Sequence, residues 1–344
     1  MCKSCLGLDI GSSSIKLVEL RGRGRSGYQL VSAAKIDTPT NSYYKGKVLE
    51  AELIAEALKE LLRDSNTKTE RVVLGLNSAD VMTKVAKYPK MPEKELEQVI
   101  EFDIEKLFKL PAGVQREELT ISFDQISEID DEVSVLVACC PKPLIYPYLI
   151  AVREAGLVPF IIDIGAFNLP RVIDSNQRYC FVDLGHTQTV IYIAIGGKYQ
   201  VYRILPIGGL DLNKGIMAAF DTNEDRAERF KLTYDIDYLL LEGTGPTGML
   251  QATIQQYVGG ILQTLDYLRA QYRSSAIEEV LDQVVLCGGN ALIEGIDNLL
   301  QERLGIEVTI LDPFVRLQIN QRSPDDASIY SSAVGLALRG LEAP

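Results

Sequence analysis

No run of about 18 apolar residues occurs in the chain, so a membrane-spanning helix is not expected. The opening Met1-Cys2-Lys3-Ser4-Cys5 passes into a strand pattern without the apolar core of a signal peptide. Cysteine is sparse, and six in 344 residues make no disulfide framework. Cys139, Cys140, Cys180 and Cys287 lie in apolar strand-like runs and read as reduced core residues. Cys2 and Cys5 form a C-x-x-C, but no second Cys or Cys/His pair follows at ligand spacing, so neither a zinc nor a redox role is expected. Positive charge is in deficit: 35 Lys and Arg against 47 Asp and Glu leave a net −12. That balance works against broad attraction to nucleic acid or to an anionic membrane surface. A cytoplasmic protein is the resulting expectation.

What is present fits an ordinary globular chain, 47% hydrophobic and 24% charged, whose length favours two domains with a cleft between them. Residues 6–10 and 15–20 read as a hairpin around Gly11-Ser12-Ser13-Ser14, followed by a second turn at 21–27 and a strand at 28–35. Helical spacing at 51–63 and a strand at 71–76 complete the first unit. From about Lys90 the character shifts to a helix at 93–107, strands at 119–126 and 133–139 and a helix at 144–155, an α+β insertion. Strand, helix and strand resume at 158–164, 166–173 and 179–184. Residues 181–205 then repeat the opening in kind, an Asp-x-Gly turn and two strands joined at Gly196-Gly197. Residues 211–275 are mainly helical, with one long helix at 247–272, and strands at 284–286 and 308–311 flank a last helix. The expected fold is α/β and two-lobed. Residues 1–90, 158–179 and 328–344 make the first lobe, 91–157 its insertion, 180–210 and 276–327 the second lobe, and 211–275 a helical subdomain.

Three segments carry chemistry. Asp9 stands at a strand end before Gly11, Ser12, Ser13, Ser14 and Lys16. Small residues let backbone N–H groups approach phosphate oxygens, the hydroxyls add donors, and Lys16 adds charge. Asp9 would face a phosphate-bound Mg²⁺ through water. Half a chain later, Asp183, Gly185, His186, Thr187 and Thr189 repeat that layout, so that facing hairpins would hold phosphates from both sides. His186, the single histidine, reads as a turn residue rather than a general base. Gly288, Gly289 and Asn290 follow an apolar strand and would let a flat adenine or ribose lie against the backbone; a plain strand-to-helix turn is the alternative.

The order of these motifs resembles the phosphate-1, phosphate-2 and adenosine loops of actin-like ATPases, with their duplicated RNase H-like lobes, over nearly the whole chain. Within that superfamily, LGLDIGSSSIKLVEL at 6–20 and RILPIGGLDLNKGI at 203–216 are similar to signature runs of the PilM family of type IV pilus assembly, and the insertion matches the FtsA/PilM arrangement. The resemblance implies ATP and Mg²⁺ as ligands, with Asp9 and Asp183 as the Mg-facing acids. It implies a close-approach turn at Gly208 and Gly209, and a helix on which Glu228 bonds the ribose and Lys231 reaches the base. A solvated i,i+3 charge pair is the competing reading of those two residues. It further implies that the cytoplasmic N-terminal tail of PilN is the partner, with PilO, the pilus motor ATPases and the platform protein PilC linked beyond it, and that membrane association comes through partners. One departure stands out. Actin-like relatives often place a Glu or Gln where Gly165 or Ala166 falls here, and neither can orient an attacking water, so ATP binding with at most slow hydrolysis is expected; Asp163, at a strand end, is either a substitute or a structural residue. A small-molecule kinase of the same superfold lacks a clear Asp-bearing substrate loop. An FtsA-like division filament protein predicts a C-terminal amphipathic membrane helix, for which 339–344 is too short and too poor in basic and aromatic residues.

Overall fold

The computed structural model describes residues 4–22, 27–110, 113–173, 177–241, 247–315, 317 and 324–343; Cys2, residues 23–26 of the expected turn and Pro344 lie outside them. Strands β1 (Ser4–Ile10), β2 (Ser14–Gly22) and β3 (Tyr28–Asp37) form an antiparallel meander. The short hairpin β4 (Tyr43–Tyr44) and β5 (Lys47–Val48) leads to helix α1 (Ala51–Ser65), and the chain returns as β6 (Arg71–Leu76), parallel to β1. Leu6, Leu8 and Ile10 of β1 are buried in one core with Ile54, Leu58 and Leu61 of α1. Each such side chain contributes about 2 kcal/mol by leaving water.

Next come β7 (Met82–Pro89), α2 (Glu93–Leu107), β8 (Leu119–Ile129) and β9 (Glu132–Pro141), a three-stranded sheet in the order β7-β9-β8 under one helix. Its core is the stripe Leu96, Ile100 and Ile104 of α2 set on Val133, Val135 and Val137 of β9, spacings that match a helix face and one side of a strand. The strand Met82–Pro89 lies before the change of character at Lys90 and was not foreseen. Helix α3 (Lys142–Glu154) leaves this sheet and packs its buried Leu144, Tyr148, Ala151 and Val152 into the core of the first lobe. Strand β10 (Val158–Ile164) then joins β6 in parallel, giving the sheet order β10-β6-β1-β2-β3.

Residues 166–173, expected as a helix, instead lie mostly in a 3₁₀ segment, Gly165–Arg171. Pro170 has no N–H to continue an α-helical ladder. The second lobe repeats the first. β11 (Arg178–Leu184), β12 (Thr189–Ile195) and β13 (Lys198–Leu205) form the meander, and β14 (Gln283–Cys287) and β15 (Val308–Ile310) add in parallel, giving β13-β12-β11-β14-β15. Between the meander and β14 run helices α4 (Gly209–Phe220), α5 (Glu224–Thr233), α6 (Ile236–Leu241) and α7 (Gly248–Tyr272), and α8 (Ile296–Leu304) connects β14 to β15.

The last helix, α9 (Ser331–Glu342), crosses back to the first sheet. Gly7 makes that approach possible, because a Cβ there would stand 1.9 Å from the carbonyl oxygen of Ala333. A core shared by both lobes includes Val18 and Leu20 of the first sheet, Phe181 and Tyr192 of the second, and Val334 of α9. Phe167 of the 3₁₀ segment stacks on Tyr192 at 4.9 Å between ring centroids. The parallel registers set Asp9 beside Gly75, Gly75 beside Asp163, and Asp183 beside Cys287. The carboxyl ends of each parallel set therefore share one edge, where open α/β sheets place their ligands.

Candidate functional site

A cleft between the lobes is lined by residues from both hairpins. On the first wall, antiparallel register puts Lys16 opposite Asp9, its Nζ 3.5 Å from Oδ2. The Gly11 N–H donates to the Ser14 carbonyl at 3.1 Å. Thr38 ties the loop from behind, its Oγ1 donating to the Gly11 carbonyl at 2.6 Å and its N–H to the Ser13 carbonyl at 2.9 Å. The carbonyls of Gly11, Ser13 and Ser14 are thus engaged, and Ser12, Ser13 and Ser14 line the cleft.

The second wall is built the same way. β11 delivers Asp183, and the Gly185 N–H donates to the Gln188 carbonyl at 3.1 Å. The N-terminus of α4 meets this loop: Gly209 N–H donates to the Gly185 carbonyl at 3.0 Å and Leu210 N–H to the His186 carbonyl at 2.8 Å. Gly208 must stay small, since a Cβ would lie 2.4 Å from the His186 carbonyl oxygen. Thr189 is fully buried and donates its Oγ1 to the Ile207 carbonyl at 2.9 Å. Asp183, Gly185, His186 and Thr187 line the cleft, whereas Thr189, Gly208 and Gly209 stand behind the loop and hold its shape.

The two loops touch across the cleft. Ser12 Oγ and Thr187 Oγ1 share a 2.6 Å hydrogen bond, and Gln188 Nε2 donates to the Asn77 carbonyl at 2.7 Å. Burial, and then the negative charge of Asp9, push the Asp183 carboxyl up to about 6, with Lys16 opposing. A divalent cation beside both acids would relieve that repulsion. Among the described residues no group of three or more His, Cys, Asp or Glu could hold a metal ion. Burial, and then the charge of Lys231, hold the His186 imidazole below its ordinary value, favouring the neutral ring.

The third wall is the turn after β14. Gly288 has φ +84°, and a Cβ would stand 2.2 Å from Asp183 Oδ1, so this backbone packs directly against the acid. A Cβ on Gly289 would meet nothing within 4 Å, leaving open backbone for a flat group. Asn290 spends its amide on the second loop, donating to the Leu184 and Gly185 carbonyls at 3.1 and 2.7 Å. On α5 the Lys231 ammonium, whose side chain is 3% exposed, donates to Glu228 Oε2 at 2.7 Å, and Asn213 Nδ2 reaches the same oxygen at 2.7 Å. Burial alone would raise the Glu228 carboxyl, but Lys231 and Asn213 together hold it below its ordinary value. Glu228 Oε1 has no protein donor among the described residues. Lys35, Asn77, Gln188 and Ser332 also line the cleft and were not singled out in the sequence. Asn77 had one available signal, its place at the carboxyl end of a parallel strand.

The model of the family described as type IV pilus assembly protein PilM matches residues 7–341. A solved PilM-PilN type IV pilus biogenesis complex is similar over 98% of this chain and 99% of that one, with 26% identity and a TM-score of 0.85. The cell division protein FtsA of Streptococcus pneumoniae is 24% identical over 371 residues, covering 94% of this chain and 78% of FtsA. MreB5 of Spiroplasma citri bound to AMPPNP shares the fold at 13% identity and a TM-score of 0.55, over 99% of this chain and 96% of that one. The expected actin-like fold is therefore the one observed.

Proposed function

The chain belongs to the PilM family of type IV pilus assembly proteins, and from that premise and the geometry of the cleft we propose that it binds ATP between its lobes and couples nucleotide state to pilus assembly. The observation that carries this reading is the convergence of two acidic hairpins, Asp9 and Asp183 included, on one cleft. In it the serine and threonine loops take the phosphates, Asp9 and Asp183 hold Mg²⁺ through water, Glu228 takes the ribose and Gly289 lies against the base.

ATP acts here as a clamp, favouring the closed cleft by its higher affinity for that state. The partner is the N-terminal cytoplasmic tail of PilN, a reading supported by the similar PilM-PilN complex. The tail docks between the first lobe and the inserted sheet. Near that junction Tyr44, Leu53, Tyr146 and Ile150 are exposed apolar side chains that an extended or helical segment would cover. PilO, the motor ATPases and PilC follow through the platform. No helix among the described residues is long and apolar enough to cross a membrane, so in this reading inner-membrane association is borrowed from PilN.

The test is tail-peptide affinity measured with ATP and Mg²⁺, with ADP and Mg²⁺, and without nucleotide. The wild-type chain should bind the tail more tightly with ATP, and Asp9→Ala should lose that gain. Equal affinity in every condition would remove the clamp.

A further inference from the structure

Two separate lines of contact leave the cleft and meet at one hydroxyl outside it. Tyr148 of α3 is 2% exposed, and its Oη lies 3.0 Å from Tyr43 Oη and 3.1 Å from the Gly46 carbonyl oxygen. Both partners belong to the β4-β5 hairpin. We propose that the Tyr148 hydroxyl, through this hairpin, carries the occupancy of the cleft to the outer face of α3, where the tail docks. The inference deepens the clamp reading above and rests on it.

The first line of contact is the ring of Tyr43, which lines the cleft and meets Tyr148 edge-on, with centroids 6.2 Å apart and planes at 86°. The second runs through backbone. Gln188 of the second-lobe loop donates Nε2 to the Asn77 carbonyl at 2.7 Å. Gly46 packs on that same carbonyl so closely that a Cβ would stand 2.2 Å from its oxygen and 2.6 Å from Ser78 Cα. Its φ of +80° suits glycine as well, so the turn has one fixed shape. Gln188, Asn77, Gly46 and Tyr148 thus form a chain of direct contacts from one lobe to α3. The hairpin also reaches the second lobe at Lys45, whose Nζ donates to the Pro206 carbonyl at 3.5 Å. A change in lobe separation therefore acts on the hairpin at two places.

A tyrosine hydroxyl has one hydrogen, and Tyr148 faces two acceptors. In one arrangement it donates to Tyr43, whose own hydrogen then turns to the cleft. In the other it donates to the Gly46 carbonyl, and Tyr43 donates to Tyr148. Water in an empty cleft can donate to Tyr43 and phosphate oxygens cannot, so a loaded cleft favours the first arrangement and frees the Gly46 carbonyl from α3. Pro147, immediately before Tyr148, has no N–H to close a rung of the helix, so α3 bends most easily at this turn. Tyr146 and Ile150 stand two residues to either side of Tyr148, about 200° around the helix, and both are exposed. Tyr44 follows Tyr43 in β4, points to the other side of the strand and is exposed too. Three apolar side chains of the docking face are therefore set by the hairpin and by the turn of α3 that Tyr148 ties to it.

The experiment measures tail-peptide affinity with and without ATP and Mg²⁺, and ATP affinity with and without the tail peptide, for wild type and Tyr148→Phe. The variant keeps the ring and loses only the hydroxyl. The ratio of tail affinities with and without ATP should fall about fivefold, the size of one hydrogen bond. Coupling is reciprocal, so the effect of the tail on ATP affinity should fall equally. Each affinity measured without the other ligand should stay within about twofold of wild type, which a merely structural loss would not leave intact. Tyr43→Phe removes the other hydroxyl, should lower the same ratio, and decides the matter if Tyr148→Phe folds poorly. A folded Tyr148→Phe with the wild-type ratio, or one that loses tail affinity equally in both conditions, overturns the inference and leaves the clamp standing. A wild type whose tail affinity ignores nucleotide removes the clamp itself, and the link with it.

Discussion

Ser12 Oγ and Thr187 Oγ1, separated by 175 positions in sequence, lie 2.6 Å apart across the cleft. The pair joins the two loops, and in the proposed ATP-bound state a terminal phosphate would part them and take a donor from each. Ser12→Ala and Thr187→Ala should each weaken ATP binding about tenfold, the size of a lost hydrogen bond to a charged group. ADP, which lacks that phosphate, should lose less. Competition between the two nucleotides against a fluorescent analogue reads the difference, and equal losses would place the terminal phosphate elsewhere.

Asp183 predicts a pH dependence. Its folded-state value of about 6 lies above the ordinary 3.8, so the proton on this group stabilises the nucleotide-free fold fully below about pH 4 and that contribution is lost as pH rises through about 6. Asp183→Asn, which cannot ionise, should therefore be more stable than wild type at pH 7.5, by roughly 1–3 kcal/mol, and no more stable at pH 4. Thermal melts at both values check this. Mg²⁺-dependent nucleotide affinity of the wild type should fall between pH 7.5 and 5.5, as protonation removes the charge that faces the cation.

The adjacent glycines of the third wall should behave differently. Gly288 combines φ +84° with a blocked Cβ position, so Gly288→Ala should cost roughly 1–3 kcal/mol of stability and disturb Asp183. Gly289→Ala has open space and should leave the melting temperature nearly unchanged. If a ligand lies against that backbone, the same substitution should weaken ATP binding severalfold. Melting curves and nucleotide titrations on both variants separate the two effects.

Both hairpins were legible because an acid at a strand end, a small-residue turn and a returning apolar strand leave a local pattern, and its recurrence at 181–205 exposed the duplication. β7 was not legible. Only Tyr88 among its side chains is buried, and Lys84 and Lys87 break any alternation. Asn77 and Ser332 reach the cleft by another route, as a strand end and a helix start brought together by the fold. The end of the strand at 71–76 was a signal for Asn77, and nothing near Ser332 in sequence marks it. The sequence also offered Asn290 and Lys231 as ligand contacts without revealing that other protein groups already engage their polar atoms. Tertiary partners decide which donors remain free, and spacing along a chain does not record them.

The central claim is that the two acids face one nucleotide from opposite lobes. Calorimetric titration of ATP with Mg²⁺ into wild type, Asp9→Ala and Asp183→Ala tests it most directly. One nucleotide per wild-type chain, with affinity falling at least tenfold in each variant, is the predicted result. Wild-type affinity in a folded Asp183→Ala chain would contradict it, because the second lobe would then take no part in the site.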